Sequence, residues 1–183
     1  MPGPVFFSGE RVDLCTAERS DIEFLQESVS DSRIWRAVGR NNPYNLEQES
    51  EFFERVICDQ STVHLLVTAE DTPVGAVALE GIDKEVGTAE INYWIIPSQW
   101  GNGYATEAAR CLIQYGFNQR NLHKVVARVT EFNDASKQVL EKIGFVEEGV
   151  QREQEFVDGE YQDRHWYGLL KQEWQESNNG DQS

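Results

Sequence analysis

The first residues whose type and spacing could do chemistry are two glycines near the middle of the chain. In Trp100-Gly101-Asn102-Gly103-Tyr104-Ala105-Thr106, Gly101 and Gly103 let the backbone approach a ligand with no Cβ in the way. Ala105, Ala108, Ala109, Leu112, Ile113 and Gly116 follow at the i, i+3, i+4 spacing of a helix with a small, apolar inner face. A helix start behind such a loop presents unpaired N–H groups and a partial positive charge, which favours a phosphate. A loop of this kind serves equally well as a plain connector, so its ligand has to be identified from the rest of the chain. Two nucleotide motifs do not fit. A P-loop needs Gly-Lys-Ser/Thr, and Gly103 is followed by Tyr104. A dinucleotide fingerprint needs a third small residue where Thr106 stands, and a parallel βαβ unit before it.

The elements that must position the loop read directly from the pattern around it. Ile91, Tyr93 and Ile95 alternate with Asn92, Trp94 and Ile96, a strand covered on both faces, and Pro97 ends it. Residues 63–69 and 74–82 are two further strands, and the turns between the three are short enough to demand antiparallel neighbours. Upstream, 5–17 is one edge-like strand region, and Ser20-Asp21-Ile22-Glu23 has the capping-box spacing that opens a helix to about residue 30. An aperiodic loop over 33–43 leads to a second helix after Asn45, with Phe52, Phe53, Val56 and Ile57 on its buried stripe. Downstream come the helix 105–119, a strand over 124–129, and a helix opened by Asn133-Asp134-Ala135-Ser136 and capped by Gly144. Two strands, 145–156 and 161–170, follow around the turn Val157-Asp158-Gly159-Glu160. The order βααβββαβαββ predicts one α+β domain over 1–175, a mixed, mostly antiparallel sheet of about seven strands with about four helices. The polar stretch 176–183 is expected to be frayed.

At 183 residues the chain is long enough to bury a core of its own. Its net charge of −16 argues against nucleic acid as a partner, because a phosphate backbone would be repelled. Lys84, Lys124, Lys137, Lys142 and Lys171 are its only lysines, and the acids are spread over the whole chain. That pattern fits proteins of salt-loving organisms, whose self-repulsion is screened, and it also fits an ordinary acidic cytosolic protein. Full helicity and activity in dilute buffer would decide for the second. No apolar run approaches the ~20 residues that span a bilayer, and Met1-Pro2-Gly3-Pro4 has no signal-peptide pattern. A cytoplasmic location is expected. Cys15, Cys58 and Cys111 read as free, buried thiols; with His64, His123 and His165 they form no metal-ligand spacing, and no metal is expected.

Four motifs in order carry a resemblance: Ala89-Glu90-Ile91-Asn92-Tyr93-Trp94, the glycine loop through Ala108, Asn133-Asp134-Ala135-Ser136, and Leu140-Glu141-Lys142-Ile143-Gly144-Phe145. Gly159-Glu160-Tyr161-Gln162-Asp163 and Tyr167-Gly168-Leu169-Leu170 extend it, so that it covers roughly 9–174. The chain resembles the GNAT family of N-acetyltransferases, and within it the RimJ/RimL-type branch that acetylates N-termini of ribosomal proteins. The resemblance implies the GNAT fold and acetyl-CoA as co-substrate. The family signature Gln/Arg-x-x-Gly-x-Gly/Ala falls on Trp100 to Ala105, with Trp100 in place of the usual Gln or Arg. It implies that Trp100, Gly101, Asn102, Gly103, Tyr104, Ala105 and Thr106 hold the pyrophosphate, mainly through backbone N–H groups. It also implies that the backbone of Ile95 and Ile96 pairs with the pantetheine arm where two strands splay, with Asn133 and Ser136 near the sulfur. Asn133 would serve as a plain N-cap as well.

Moving an acetyl group from a thioester to an amine has three requirements. The amine must lose a proton, since an α-amine has a pKa near ~8 and a lysine near ~10.4. Donors must meet the developing oxyanion, and N–H groups around Ile95 are placed to do so. The thiolate leaves more easily if a hydroxyl protonates it. By resemblance Glu155, just before the last hairpin turn, is the general base. Glu90, on the strand before the loop, is the runner-up, with a buried structural partner as its other reading. Ser136 is the general acid. Tyr104 reads as packing, and Cys111 faces inward and is not a nucleophile. The branch points to a protein N-terminal α-amine as acceptor, in a cleft walled by 33–44 and the second helix. A polyamine, an amino acid or an antibiotic is the alternative. A non-catalytic acyl-CoA sensor is a different class, and Asn133, Ser136 and Glu155 argue against it. No membrane partner is expected, and the resemblance is compatible with a homodimer.

Overall fold

The computed structural model describes residues 2–180. Near the start, the Gly9 N–H donates to the Val12 carbonyl at 2.8 Å. That tight turn folds the first apolar stretch back on itself as β1 (Val5–Ser8) and β2 (Asp13–Thr16), two strands where the pattern predicts one region. Helix α1 (Ile22–Val29), a one-turn α2 (Ser32–Trp35) and α3 (Leu46–Phe52) follow, the last widening into a π turn at Phe53–Ile57. The meander is β3 (Val63–Ala69), β4 (Thr72–Asp83) and β5 (Thr88–Ile95). Then come α4 (Tyr104–Gln119), β6 (Lys124–Thr130), α5 (Asp134–Ile143), β7 (Val146–Val157), β8 (Glu160–Leu170) and α6 (Lys171–Gly180).

All eight strands join one sheet in the order β1-β2-β3-β4-β5-β6-β8-β7. β5 and β6 run parallel, and the other neighbouring pairs are antiparallel. This is the mixed, mostly antiparallel α+β sheet that the sequence implies, with eight strands rather than about seven and six helices rather than about four. The two extra helices have local causes. Asp31 accepts from the Arg33 N–H at 2.8 Å and nucleates α2 inside the predicted loop. At the far end, Glu173 accepts the Leu170 N–H at 2.9 Å, and Trp174 is buried with its ring 6.2 Å from that of Phe117. That anchor carries α6 to Gly180, into the stretch expected to fray; residues 181–183 lie outside the described residues.

Side-chain alternation divides the sheet into two faces. Ala89, Ile91 and Ile95 of β5 pack with Ala108, Leu112 and Ile113 of α4 and Leu140 and Ile143 of α5 in the main core. Burying each of the large ones is worth about 1.5–3 kcal/mol. Trp94 turns to the other face, where Ile22, Leu25, Phe53 and Leu66 form a smaller cluster. Two expectations are corrected here. The reciprocal cap lies two residues earlier than Ser20–Glu23: the Glu18 N–H donates to Asp21 Oδ2 at 2.8 Å. Cys58 is exposed, because it closes the helical segment after Ile57, beyond the buried stripe. No helix among the described residues is long and apolar enough to cross a membrane.

The feature that positions the site is a short ladder. β5 and β6 pair at Thr88–Lys124, Ala89–Val125 and Glu90–Val126. Beyond Glu90, β5 stays with β4 as far as Gly75–Ile95, while β6 stays with β8 as far as Thr130–Arg164. The two strands therefore part, and the sheet opens at its middle. Ile96 donates to the Val74 carbonyl at 2.8 Å, so alternation aims the backbone groups of Tyr93 and Ile95 away from β4, into that opening.

Candidate active site

The glycine loop sits at the end of β5. Gly101 and Gly103 adopt φ of 81° and 78°, a left-handed conformation that side chains resist. Gly103 is the residue before α4, and the first intrahelical bond runs from the Glu107 N–H to its carbonyl at 3.1 Å. The N–H groups of Tyr104, Ala105 and Thr106 thus have no helical acceptor and point out of the helix start. Trp100 spends its indole N–H on the Ile95 carbonyl at 2.7 Å, which ties the loop to the strand. That tie is what the side chain in the signature's first position does here. Behind the loop, the Glu107 carboxylate accepts the N–H groups of Glu10 and Arg11 at 2.7 Å each and of Val12 at 3.3 Å. Arg11 Nε meets it at 2.8 Å, and Arg11 Nη1 reaches the Asn102 carbonyl at 2.8 Å. Burial works against the charge on Glu107, but the Arg11 N–H and guanidinium, with Val12 and Glu10, outweigh it and hold the carboxyl below its usual range. Tyr104 packs against the main core.

Across the opening lies the first turn of α5. Asn133 Oδ1 accepts the Ser136 N–H at 3.1 Å, an ordinary N-cap. Tyr93 Oη reaches from β5 to within 3.0 Å of Ser136 Oγ and 3.3 Å of the Ser136 carbonyl. Burial pushes the Tyr93 phenol up to about 12, against the opposing pull of the Ser136 hydroxyl. The same turn is fastened to the carboxylate proposed as base. Asn133 donates its N–H to the Thr130 carbonyl at 2.9 Å, and Thr130 Oγ1 donates to Glu155 Oε2. Arg164 Nε donates to Glu155 Oε1 at 2.6 Å. Tyr93, Ser136, Asn133, Thr130, Glu155 and Arg164 therefore form one continuous chain of hydrogen bonds at the mouth of the opening.

On the opposite face of β5 is a cavity of about 220 Å³, walled by α1, α3 and strands β3 to β5. Its acids are paired. Glu49 is 2% exposed and meets Arg40 Nη1 at 2.8 Å, and the Arg40 guanidinium lies 4.0 Å from the Phe52 ring. His64 Nε2 stands 3.2 Å from Glu80 Oε1, off the line a hydrogen bond needs, and the ring holds the Glu80 carboxyl below its usual range. Asn92 Nδ2 donates to Glu80 Oε2 at 3.0 Å. Deeper toward β6, Glu90 accepts from Arg128 Nε at 2.6 Å. Arg36, just after α2, pairs with Asp158 of the β7–β8 turn at 2.9 Å, which links the two edges of the cleft.

The profile of the "Acetyltransferase (GNAT) domain" matches residues 11–146. The chain belongs to the GNAT acetyltransferase family. The domain is 40% identical to the Bacillus subtilis protein named "Putative ribosomal N-acetyltransferase YdaF", over 91% of this chain and 94% of that one. It is 30% identical to spermidine N(1)-acetyltransferase of Escherichia coli, over 84% and 83% of the two chains. The Vibrio cholerae spermidine N-acetyltransferase, solved with CoA and spermine, superposes with a TM-score of 0.84 at 27% identity over 90% and 98% of the two chains. This GNAT domain is an acetyl-CoA-dependent N-acetyltransferase, and acetyl-CoA is its co-substrate. The loop and the opening suit that molecule: unpaired N–H groups face where a pyrophosphate would sit, and free strand edges where its amide-bearing arm would lie.

Of the residues the sequence singles out, the loop from Trp100 to Thr106 follows β5, Asn133 and Ser136 stand across from Tyr93 on that strand, and Glu155 is joined to Thr130 at the end of β6. Ile95 presents its N–H to the opening, while Ile96 commits its own to Val74 and has none left for a ligand. Glu90 is bound to Arg128 at 2.6 Å, a partner of the kind its structural reading calls for. Burial pushes the Cys111 thiol up, with Glu107 adding to it, which favours the protonated form. Thr130, Arg164 and Arg11 lie outside the motifs, and Tyr93 lies inside one without a role assigned to it. For Tyr93 the one signal was its place on the same strand face as Ile91 and Ile95, which reads as packing.

Proposed function

We propose that this GNAT domain acetylates the α-amine of a protein N-terminus by direct attack, with Glu155 as general base and Ser136 as general acid. The observation that carries the acceptor class is the pairing of charge in the cleft. Glu49, Glu90 and Glu155 each face an arginine of the chain itself, Arg40, Arg128 and Arg164, and Glu80 faces the His64 ring and Asn92. A linear polycation is best held by a row of uncompensated carboxylates, and this cleft suits a single amine on an otherwise neutral chain better. The likeness to the ribosomal-type relative points the same way. Bound acetyl-CoA supplies an activated acetyl thioester. The protein's own groups hold it by backbone N–H at α4 and β5, take a proton from the ammonium at Glu155, and lend one from Ser136 Oγ to the departing sulfur. The nitrogen bonds the acetyl carbon as the C–S bond breaks, with its electron pair leaving on sulfur. The ammonium gives up two protons over the cycle; one replaces that lent by Ser136 and the other leaves to solvent.

The second reading, a small polyamine, rests on the likeness to spermidine acetyltransferases. Thiol release from acetyl-CoA separates the two when peptide amides with a free α-amine and spermidine are assayed side by side. The peptides are expected to give the higher kcat/KM. Preference for spermidine would sink the N-terminal reading.

A further inference from the structure

Ser136 is a poor acid by itself, and a serine hydroxyl in the first turn of a helix can rotate among three wells. What the hydroxyl does depends on what holds it. In this chain one group does, and it comes from another element. Tyr93 lies three residues past the last β5–β6 pair, where its strand borders the opening. Its Oη crosses to α5 and stands 3.0 Å from Ser136 Oγ and 3.3 Å from the Ser136 carbonyl. The Ser136 N–H is already taken by Asn133, so Tyr93 contacts both remaining polar atoms of that residue.

A phenol has one proton to donate, and the two acceptors have opposite consequences. Donated to the carbonyl, it leaves Tyr93 Oη to accept the Ser136 hydroxyl proton, which then points into the protein. Donated to Ser136 Oγ, it satisfies that oxygen from behind and leaves the Ser136 proton free to turn toward the opening. The shorter contact is to Oγ. We propose that Tyr93 is the positioning residue of the proton donor: it stays protonated, donates to Ser136 Oγ, and so presents the Ser136 O–H to the departing sulfur. Burial, which pushes the phenol up to about 12, keeps it protonated and so a donor at any working pH. The inference rests on the reading of Ser136 as general acid and adds to it the group that makes Ser136 competent.

The test is a double-mutant cycle on kcat, with a peptide amide and spermidine as parallel acceptors so that a wrong acceptor class does not remove the assay. Ser136→Ala should lower kcat on the order of 100-fold. Tyr93→Phe, which keeps the ring and deletes only the oxygen, should lower it about 10-fold or more. KM for acetyl-CoA should stay within about twofold. Because Tyr93 acts through Ser136, the double variant should be no slower than Ser136→Ala alone. A purely structural phenol would instead give additive losses and a matching fall in thermal midpoint, and that outcome overturns the inference. Failure of the underlying reading looks different: Ser136→Ala would turn over normally. A slow Ser136→Ala beside an unaffected Tyr93→Phe would leave Ser136 in place and remove Tyr93.

Discussion

The glycine loop and the acceptor cleft flank the same strand, β5, and they are held together in opposite ways. The loop is made from neighbours in sequence. Gly101, Gly103 and the Trp100 indole on Ile95 all lie within one short stretch, and the Glu107 carboxylate, four residues past Gly103, braces it against the remote β1–β2 turn. The cleft is made by side chains from separate elements, with Glu49, Glu90 and Glu155 each tied to an arginine and Glu80 facing His64. A loop that must fit a cofactor common to a whole family can be encoded in backbone shape. A cleft that must discriminate among amines needs side chains, and buried side-chain charge must be paired. Donor binding and acceptor chemistry should therefore respond to different substitutions.

The sharpest way to break that division is Glu155→Gln. It should lower kcat/KM for the amine by about 100-fold or more, with KM for acetyl-CoA unchanged; steady-state kinetics with each substrate varied would show it. An equal loss on the acetyl-CoA side would mean that the two regions are one. Next in size, Glu107→Ala should cost about 3 kcal/mol in urea melts, since three N–H groups and a guanidinium lose their acceptor. This effect has a pH signature. The Glu107 carboxyl is depressed from 4.5 in the folded chain, so its stabilisation is complete above that value and is lost as pH falls through the lower, folded one. The stability gap between the native chain and Glu107→Gln should therefore shrink below pH 4.5 and stay constant between pH 6 and 8.

Gly103→Val tests the loop alone. A side chain at φ 78° costs about 1–2 kcal/mol, and its Cβ would come within 3.0 Å of the Arg11 guanidinium. Acetyl-CoA affinity, read by calorimetry, should fall about tenfold while the chain still folds. The smallest effect is expected from Arg36→Ala. Its pair with Asp158 is largely exposed, and such pairs contribute about 0–1 kcal/mol. It should raise KM for a peptide acceptor by no more than about fivefold and leave acetyl-CoA binding alone. A larger effect would mean that the link between the cleft edges does more than brace them.

How much of this was legible without coordinates follows the same division. The strand through Ile91, Tyr93 and Ile95, its stop at Pro97, the turn of Gly101 and Gly103, and the cap at Asn133 were readable because each depends on near neighbours. So was the meander, whose turns are too short for anything but antiparallel strands. The strand count fell short by one because the Gly9–Val12 turn can be read as punctuation within a strand. α6 was missed because Trp174 is a single apolar residue in a polar run, and only its contact with Phe117 makes it an anchor.

The sequence by itself determined the backbone of the donor side, because glycine, proline and a period of two or 3.6 act on the chain locally. Tertiary structure decided the partners. Tyr93 and Ser136 are 43 positions apart, Thr130 and Glu155 are 25, and Arg11 and Glu107 are 96. Alternation says which face of a strand a tyrosine occupies. Which hydroxyl stands within 3.0 Å of it depends on how α5 settles across the gap that β5 and β6 leave open, because a hydrogen bond is specified by position in space.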